Sequence, residues 1–228
     1  MTTLAEKYRP KKLENICGHE KIKNQVASLK ERNAIGGKSF WISGNSGTGK
    51  TTIARIIAGY IASPLFVTEI DAGECSAEFV REFKKEMEYY GWLEDSLRGK
   101  ALIVNEAHGL RADVIRALLV MLEEIPSHCA VIFTTTKEAQ EDLFNDKLDA
   151  SPLLSRCIEL SLSQRDITKV FAERAKQIAI AEGLDGLPIE RYTQALREKR
   201  NNLRAVLMMI ESRELTGNSD VCLERAER

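Results

Sequence analysis

Short apolar runs alternate with longer amphipathic stretches between residues 39 and 162. Five of these runs are rich in β-branched or aromatic residues, a composition typical of strands. They are SFWIS at 39–43, PLFVTEI at 64–70, ALIVNE at 101–106, CAVIFTTT at 129–136 and CIELSL at 157–162. Their continuous apolar character predicts strands covered on both faces.

The stretches between these strands keep apolar residues at three- and four-residue spacing, which predicts amphipathic helices. Three are clear and one is weaker: 50–62, 76–90, 111–125, and the weaker 137–146. Strands separated by helices predict a parallel sheet with right-handed crossovers. The fold class is therefore α/β.

The pattern changes after residue 162, where strands stop and helical periodicity takes over. Three helices are predicted, over 163–183, 188–200 and 201–215, and the polar residues 216–228 are expected to be frayed or helical. We therefore predict an α/β domain over 1–162 and a small all-α lid domain over 163–228.

Amino-acid composition limits the possible binding partners more than it limits the possible folds. The 33 Lys and Arg residues nearly balance the 34 Asp and Glu residues, so DNA binding would need a local basic patch. None of the five cysteines forms a CxxC pair, which argues against a zinc ribbon or a redox motif. Because no apolar run reaches the roughly 18 residues of a membrane span, we expect a cytoplasmic protein without membrane contact.

The segment GNSGTGKT, residues 44–51, matches the phosphate-binding pattern G-x-x-x-x-G-K-[ST] between a predicted strand and a predicted helix. Glycines allow backbone N–H groups to surround phosphates, and the helix N-terminus adds partial positive charge. We expect Lys50 to contact the outer phosphates and Thr51 to ligate Mg²⁺. The expected nucleotide-binding residues of this loop are Asn45, Ser46, Gly47, Thr48, Gly49, Lys50, Thr51 and Thr52.

The strand ALIVNE ends in Asn105 and Glu106, where nucleotide-hydrolysing enzymes often carry two acids. Asn105 can still accept a hydrogen bond from a metal-bound water, but it lacks the charge. A charge-assisted hydrogen bond contributes roughly 1.5–3 kcal/mol and a neutral one about 1, so the loss is about tenfold in metal affinity. Glu106 keeps the carboxylate that can deprotonate water.

Three further polar residues are candidates with simpler alternatives. Thr136 ends the fourth predicted strand and could lie between phosphates and water, although threonines are also good strand formers. Arg156 precedes the last strand and is either a solvated loop arginine or a finger for a neighbour's nucleotide. His108 gives the run NEAH a helicase-like spelling, but we expect an exposed loop histidine.

Together these motifs resemble the clamp-loader ATPases of the AAA+ superfamily, typified by replication factor C small subunits and DNA polymerase III gamma subunits. The resemblance covers about residues 4–213. It is carried by LAEKYRPKKLENICGHE at 4–20, EIDAGECSAEFVREF at 69–83, SRC at 155–157 and NNLRAVLMMIE at 201–211. The first segment is similar to the family's N-terminal box W-x-x-K-Y-R-P-x-x-x-x-x-[IV]-x-G-[QH].

The resemblance implies a P-loop AAA+ fold with a parallel five-stranded sheet in the order 5-1-4-3-2 and a helical lid. It implies that Arg204 contacts the terminal phosphate of ATP, and that the adenine pocket is lined by Tyr8, Arg9, Pro10, Ile16 and Cys17. Family members open a ring-shaped sliding clamp and place it on primer-template DNA. The implied partners are other AAA+ subunits, a sliding clamp and primer-template DNA, and the cofactors are ATP or ADP with Mg²⁺.

Four departures from the family pattern leave the function open. Asn105 replaces the usual Asp, Thr136 replaces the usual Asn, and Cys75 lies near where relatives carry a basic residue. Relatives also continue into a helical collar, so either the chain is shortened or it is a minimal member. The main hypothesis is an ATP-driven clamp-loader subunit. The alternative is a nucleotide-gated assembly module with slow turnover, and a related branch-migration motor lacks support from the EKYRP and SRC segments.

Overall fold

The computed structural model describes residues 2–91, 98–136, 150–162 and 167–215. These residues form two compact units. The α/β unit consists of Lys21–Asn45 and Gly49–Leu162, and the helical unit consists of Met1–Glu20, Ser46–Thr48 and Ser163–Arg228.

The α/β unit contains a five-stranded sheet in which every paired strand is parallel. The strands are β1 Lys38–Ser43, β2 Val67–Asp71, β3 Lys100–Asn105, β4 Cys129–Thr135 and β5 Cys157–Ser161. Their spatial order is β2-β3-β4-β1-β5, which is 5-1-4-3-2 read from the other edge. The predicted fold class and strand order are confirmed.

The described residues of the α/β unit contain five helices: α2 Glu20–Glu31, α3 Lys50–Ala58, α4 Ala77–Glu86, α5 Ala112–Leu122 and α6 Ala150–Ser155. The middle three lie at predicted positions but are shorter, whereas α2 and α6 were not predicted. The sequence pattern assigned no helix before residue 39, although α2 buries Ile22, Val26 and Leu29 at helical spacing. The helix predicted over 137–146 lies outside the described residues.

Two local signals explain where elements begin. The second strand was predicted from residue 64 but starts at Val67, because Pro64–Phe66 form a 3₁₀ turn instead. Proline fixes φ and has no N–H to give to a sheet. At α4, the Ser76 side chain accepts a 3.0 Å hydrogen bond from the Phe79 amide, a helix N-cap.

The core of the α/β unit lies between the central strands and the helices that cover them. β4 is buried along its whole length, which explains its unbroken apolar and threonine composition. Trp41 on β1 and Phe133 on β4 pack with ring centroids 5.5 Å apart. The edge strand β2 is only partly buried, so it can carry the charged residue Glu69.

The helical unit contains a short N-terminal helix and three lid helices: α1 Leu4–Lys7, α7 Ile167–Ala181, α8 Ile189–Glu198 and α9 Leu203–Glu211. Leu4, Phe171 and Tyr192 are buried in its core. The Asn202 side chain caps α9 by accepting a 3.0 Å hydrogen bond from the Ala205 amide. Residues 2–20 therefore belong to the same compact unit as the lid helices.

The three helices predicted after residue 162 are present in the described residues, while the segments 163–166 and 216–228 lie outside them. Across the described ranges, no helix is both long enough and apolar enough to span a membrane.

Candidate functional site

The phosphate-loop segment joins the carboxyl end of β1 to the first residue of α3. Gly47 has φ 71° and Gly49 has φ 103°, conformations that side chains with a Cβ rarely adopt. Glycines at positions 47 and 49 are therefore needed for the backbone path. This path ends at the N-terminus of a nine-residue helix, where the first amide groups have no partner within the helix.

The tip of the loop, Ser46–Thr48, packs within the helical unit. His19 Nε2 lies 3.2 Å from the Thr48 carbonyl oxygen. A Cβ added to Gly47 would lie 1.7 Å from Oδ1 of Asn202, the residue that caps α9. Gly47 is therefore required by close packing as well as by its dihedral angle.

Lys50 is the first residue of α3 and only 7% of its surface is exposed. Its Nζ donates a 3.0 Å hydrogen bond to the carbonyl oxygen of Asn45, at the start of the loop. A buried ammonium group must be surrounded by oxygen atoms. The Lys50 side chain thus turns back toward the start of the loop, and its contact with the outer phosphates stays a prediction.

Asn105 is the last residue of β3, and its amide bridges three elements. Its Oδ1 accepts a 3.0 Å hydrogen bond from the Thr134 hydroxyl and lies 3.5 Å from the Thr51 hydroxyl. Its Nδ2 donates a 2.8 Å hydrogen bond to Glu69 on β2. The acceptor end of Asn105 therefore faces the predicted metal ligand Thr51, and the donor end faces a carboxylate.

Glu106 follows β3 with φ 50° and ψ 46°, the left-handed region. Such a conformation in a residue with a side chain is uncommon and costs of order 1–3 kcal/mol. Its carboxylate lies 3.5 Å from His108 Nδ1, which in turn lies 3.4 Å from the Thr135 hydroxyl. The His108 side chain keeps 35% of its surface exposed, and the 3₁₀ turn Ala107–Gly109 directs it back toward the strand ends.

Thr136 lies one residue beyond the end of β4, and its carbonyl oxygen accepts a 3.3 Å hydrogen bond from the Thr135 hydroxyl. The preceding Thr134 is the threonine that contacts Asn105. The role assigned to the Thr136 side chain stays a prediction.

Arg156 lies between α6 and β5 and is bound to its own chain. Its Nη2 lies 3.0 Å from Glu123 Oε1, and its Nη1 donates a 3.1 Å hydrogen bond to the Pro152 carbonyl oxygen. Both side chains of the ion pair are substantially exposed, so the pair contributes little to stability. Its finger role stays a prediction.

The cysteines have the character of packing residues. Burial raises the pKa of the Cys75 thiol and of the Cys157 thiol to about 11 in each case, so both are protonated at neutral pH. The four cysteines within the described residues are free thiols.

The predicted adenine-pocket residues lie in the helical unit. Tyr8 and Cys17 pack against the lid core, and Ile16 is buried. Arg9 forms an ion pair with Glu6, and Pro10 follows it, half-buried. Elsewhere in the same unit, Arg204 is exposed in the first turn of α9. The roles of these residues toward a nucleotide stay predictions.

Glu182, which follows α7, anchors the N-terminal segment. It accepts hydrogen bonds from the Lys7 ammonium, at 2.7 Å, and from the Tyr8 hydroxyl. The Arg174 guanidinium lies 5.9 Å from the centre of the Tyr8 ring. The hydrogen bond from Lys7, followed by that from Tyr8, lowers the pKa of Glu182 below its ordinary value.

The lowered pKa of Glu182 makes its stabilising effect dependent on pH. A group with a lowered folded-state pKa stabilises above its ordinary pKa, about 4.3 for Glu, and loses that effect as the pH falls through the lowered value. We expect Glu182→Gln to lower the melting temperature at pH 7 by at most about 2–4 °C. The difference should vanish in acid.

Differential scanning fluorimetry between pH 3 and pH 8 measures this, with Glu190→Gln on α8 as a matched lid variant. A melting difference for Glu182→Gln that stays constant across this range would show that the carboxylate charge is irrelevant.

Four residues at the sheet edge were missed by sequence reasoning: Arg55, Glu69, Thr134 and His108 as a partner of Glu106. Arg55 and Glu69 carried no signal, because a charged pair on a helix and an edge strand is usually solvated. Thr134 belongs to the same threonine run as the candidate Thr136. The spacing of the run alone does not show which hydroxyl turns toward Asn105.

The donor set around Thr51 fits Mg²⁺. Thr51 can give its proton to Asn105 Oδ1 while its oxygen keeps lone pairs for a cation. No group of three or more His, Cys, Asp or Glu side chains suited to a metal occurs among the described residues. A cation here would therefore take most of its ligands from phosphates and water, the usual arrangement for Mg²⁺.

Comparison with known proteins places this site in a family. The AAA family, described as ATPase family associated with various cellular activities, matches residues 40–162. The DNA polymerase III subunit gamma of Buchnera aphidicola is 28% identical over 202 residues, 80% of this chain and 53% of that protein. The DNA polymerase III subunit tau of Escherichia coli is 27% identical over 187 residues, 73% of this chain and 28% of that protein. The chain thus spans about half or less of the length of these relatives.

Solved structures share the architecture. The RuvB Holliday junction branch migration motor of Thermotoga maritima aligns with a TM-score of 0.68 at 21% identity, over 90% of this chain and 64% of that one. A DNA polymerase III gamma subunit-related protein from Thermotoga maritima aligns with a TM-score of 0.54 at 17% identity, over 81% of this chain and 58% of that one. At these identities the likeness shows the fold.

The family match begins inside β1, contains Lys50, Asn105, Glu106 and Arg156, and ends after β5. It covers more than half of the 228 residues. By its strand order, its phosphate loop and this match, the chain belongs to the AAA family of ATPases.

Proposed function

We propose that this chain binds and hydrolyses ATP as a clamp-loader subunit or clamp-loader-like ATPase in DNA replication. The observation that carries the ATPase proposal is the junction of the phosphate loop with the end of β3. There, Thr51 lies 3.5 Å from the Asn105 amide oxygen, and Glu106 is the next residue along the chain. The phosphate-binding loop and the carboxylate that can activate water therefore both lie at the carboxyl ends of their strands, β1 and β3.

Each residue at this edge has a defined chemical task. The amides at the start of α3 and the buried Lys50 bind phosphate oxygens and stabilise the charge that develops as the terminal phosphate leaves. Glu106 accepts a proton from the attacking water, which contributes typically 10²–10⁴-fold to such reactions. The contact with His108 directs the Glu106 carboxylate.

Thr51 and Asn105 would hold Mg²⁺, Thr51 through its hydroxyl oxygen and Asn105 through a metal-bound water. When bound, Mg²⁺ neutralises phosphate charge and orients the phosphates for in-line attack. The neutral amide at position 105 weakens this interaction relative to a carboxylate.

The proposed nucleotide contacts outside the phosphate loop are those that the family resemblance implies. Tyr8, Arg9, Pro10, Ile16 and Cys17 would line the adenine pocket, and Arg204 would contact the terminal phosphate. Thr136 would act as the polar residue after the fourth strand.

The clamp-loader assignment rests on the named relatives and on the sequence motifs. Both reported relatives are DNA polymerase III subunits, and their similarity extends over 73–80% of this chain. The EKYRP and SRC segments resemble sequence motifs of the clamp-loader family. The proposed partners are therefore other AAA+ subunits, a sliding clamp and primer-template DNA.

The alternative proposal is a nucleotide-gated assembly module in which turnover is slow. Asn105 and Thr136 favour it, because both weaken the phosphate site. ATP turnover with and without primed DNA and a sliding clamp separates the two functions. Stimulation by primed DNA with clamp supports the clamp loader, whereas turnover that is slow and unchanged by either supports the assembly module.

Arg156 is expected to serve the nucleotide of a neighbouring subunit, since SRC arginines of the family face the next subunit. Breaking the ion pair between Arg156 and the exposed Glu123 would cost little free energy. We expect Arg156→Ala to lower turnover about 10³-fold or more, and activity per subunit to rise with protein concentration. A mixture of Arg156→Ala and Glu106→Gln subunits should regain part of the activity, because one supplies the finger and the other the base.

Arg197→Ala, an exposed arginine on α8, is the control and should leave turnover unchanged. A mixture that stays inactive, together with activity per subunit that does not depend on concentration, would make Arg156 a surface residue.

A further inference from the structure

Four side chains form a hydrogen-bonded row in the order Arg55, Glu69, Asn105 and Thr51. Glu69 on β2 accepts hydrogen bonds from Arg55, at 2.7 Å from Nε and 3.1 Å from Nη2, and from Asn105 Nδ2 at 2.8 Å. Arg55 lies one helical turn after Thr51 on α3, and Thr51 lies 3.5 Å from Asn105 Oδ1. The row therefore begins and ends on α3, and its last member is the predicted metal ligand.

The sheet register places Glu69 where it can reach Asn105. Asn105 pairs with Asp71, and Glu69 pairs with Ile103 two residues earlier, so Glu69 and Asn105 point to the same face of adjacent strands. A glutamate side chain spans this diagonal. Arg55 approaches from α3 and fixes the carboxylate from the other side.

We propose that Glu69 is a positioning residue of the nucleotide site, which holds the Asn105 amide with its oxygen toward Thr51 and Thr134. The proposal rests on the proposed ATPase function. An amide has one acceptor end and one donor end, so its orientation decides whether it accepts or donates hydrogen bonds beside the metal. A carboxylate has two acceptor oxygens and needs no such guide.

The effect of Glu69 should therefore reverse with the residue at position 105. With Asn105, Glu69 satisfies the amide nitrogen and fixes the useful orientation. With Asp at position 105, an anionic oxygen would take the place of a nitrogen that lies 2.8 Å from Glu69. Two carboxylates at that distance repel each other unless one is protonated or rotates away.

The first experiment measures the Mg²⁺ concentration needed for half-maximal binding of N-methylanthraniloyl-ADP to the full chain. Glu69→Met removes the acceptor at similar size, and we expect the Mg²⁺ requirement to rise about tenfold, the worth of one such hydrogen bond. Glu69→Gln keeps an acceptor oxygen and should stay within about threefold of the unaltered protein. Glu159→Met, an exposed glutamate on the other edge strand, is the matched control.

The second experiment measures thermal unfolding without nucleotide or metal, so it does not depend on the proposed function. Asn105→Asp should lower the melting temperature by about 2–4 °C. The double variant Asn105→Asp with Glu69→Gln restores a donor and an acceptor in swapped positions. The double variant should have the same melting temperature as the single variant Glu69→Gln. It should also need about tenfold less Mg²⁺ than the unaltered protein.

The proposal is overturned if Glu69→Met changes the Mg²⁺ requirement no more than Glu159→Met does. It is also overturned if Asn105→Asp melts no lower than the unaltered protein. If the unaltered protein binds no nucleotide, the proposed function fails, and the unfolding experiment alone then decides whether residues 69 and 105 are coupled.

Discussion

Lys50→Ala is expected to weaken binding of ATP and ADP by at least about a hundredfold, since Lys50 is the one positive side chain within the loop sequence 44–51. Charge-assisted hydrogen bonds contribute about 1.5–3 kcal/mol each, and a hundredfold loss corresponds to about 2.7 kcal/mol. The side chain is already buried and held by the Asn45 carbonyl, so little ordering is needed on binding. Titration with a fluorescent nucleotide measures the loss.

Two controls separate a lost charge from a damaged loop. Lys50→Met keeps most of the aliphatic stem and should bind as weakly as Lys50→Ala while melting closer to the unaltered protein. Lys38→Ala changes a lysine at the opposite end of β1 and should bind normally. Unchanged affinity in Lys50→Ala would remove the ATP-binding proposal altogether.

Glu106→Gln is expected to reduce ATP turnover by about 10²–10⁴-fold while nucleotide affinity changes by less than about threefold. The change removes the base but keeps the size of the side chain. Glu and Gln at position 106 face a similar cost in the left-handed conformation, so the 3₁₀ turn that follows should be preserved. Steady-state phosphate release and equilibrium binding, measured on the same preparation, give the two quantities.

Glu124→Gln, an exposed glutamate after α5, is the matched control and should turn over ATP normally. Turnover that survives in Glu106→Gln would show that another group activates water. If the unaltered protein is already as slow as Glu106→Gln, with binding intact, the assembly module becomes the better description.

The parallel sheet illustrates what local pattern can predict. The strands carry continuous apolar runs because both faces of the central sheet are covered, and β4 is buried throughout. The strand order itself came from the resemblance to clamp loaders, since periodicity gives strands and helices but not their neighbours. The early helix α2 was missed, although its apolar spacing could have revealed it.

Residue identities at the site were largely predictable where a motif constrains the backbone. Gly47 and Gly49 have the positive φ angles that a phosphate loop needs, and Lys50 starts the helix as expected. Asn105 and Glu106 were placed correctly at the end of β3. The surroundings of Asn105 could not be predicted, because Glu69 and Thr134 come from two other strands.

The sequence by itself determined the five strands, most of the long helices, the loop geometry and the position of the acid after β3, because these follow from local dihedral preference and apolar periodicity. Only the tertiary structure decided which partners those groups have. The Asn105 amide donates a hydrogen bond to Glu69, which is 36 residues away along the chain. The Tyr8 hydroxyl donates a hydrogen bond to Glu182, which is 174 residues away. Hydrogen bonds between distant residues depend on strand register and helix packing, which no local pattern encodes.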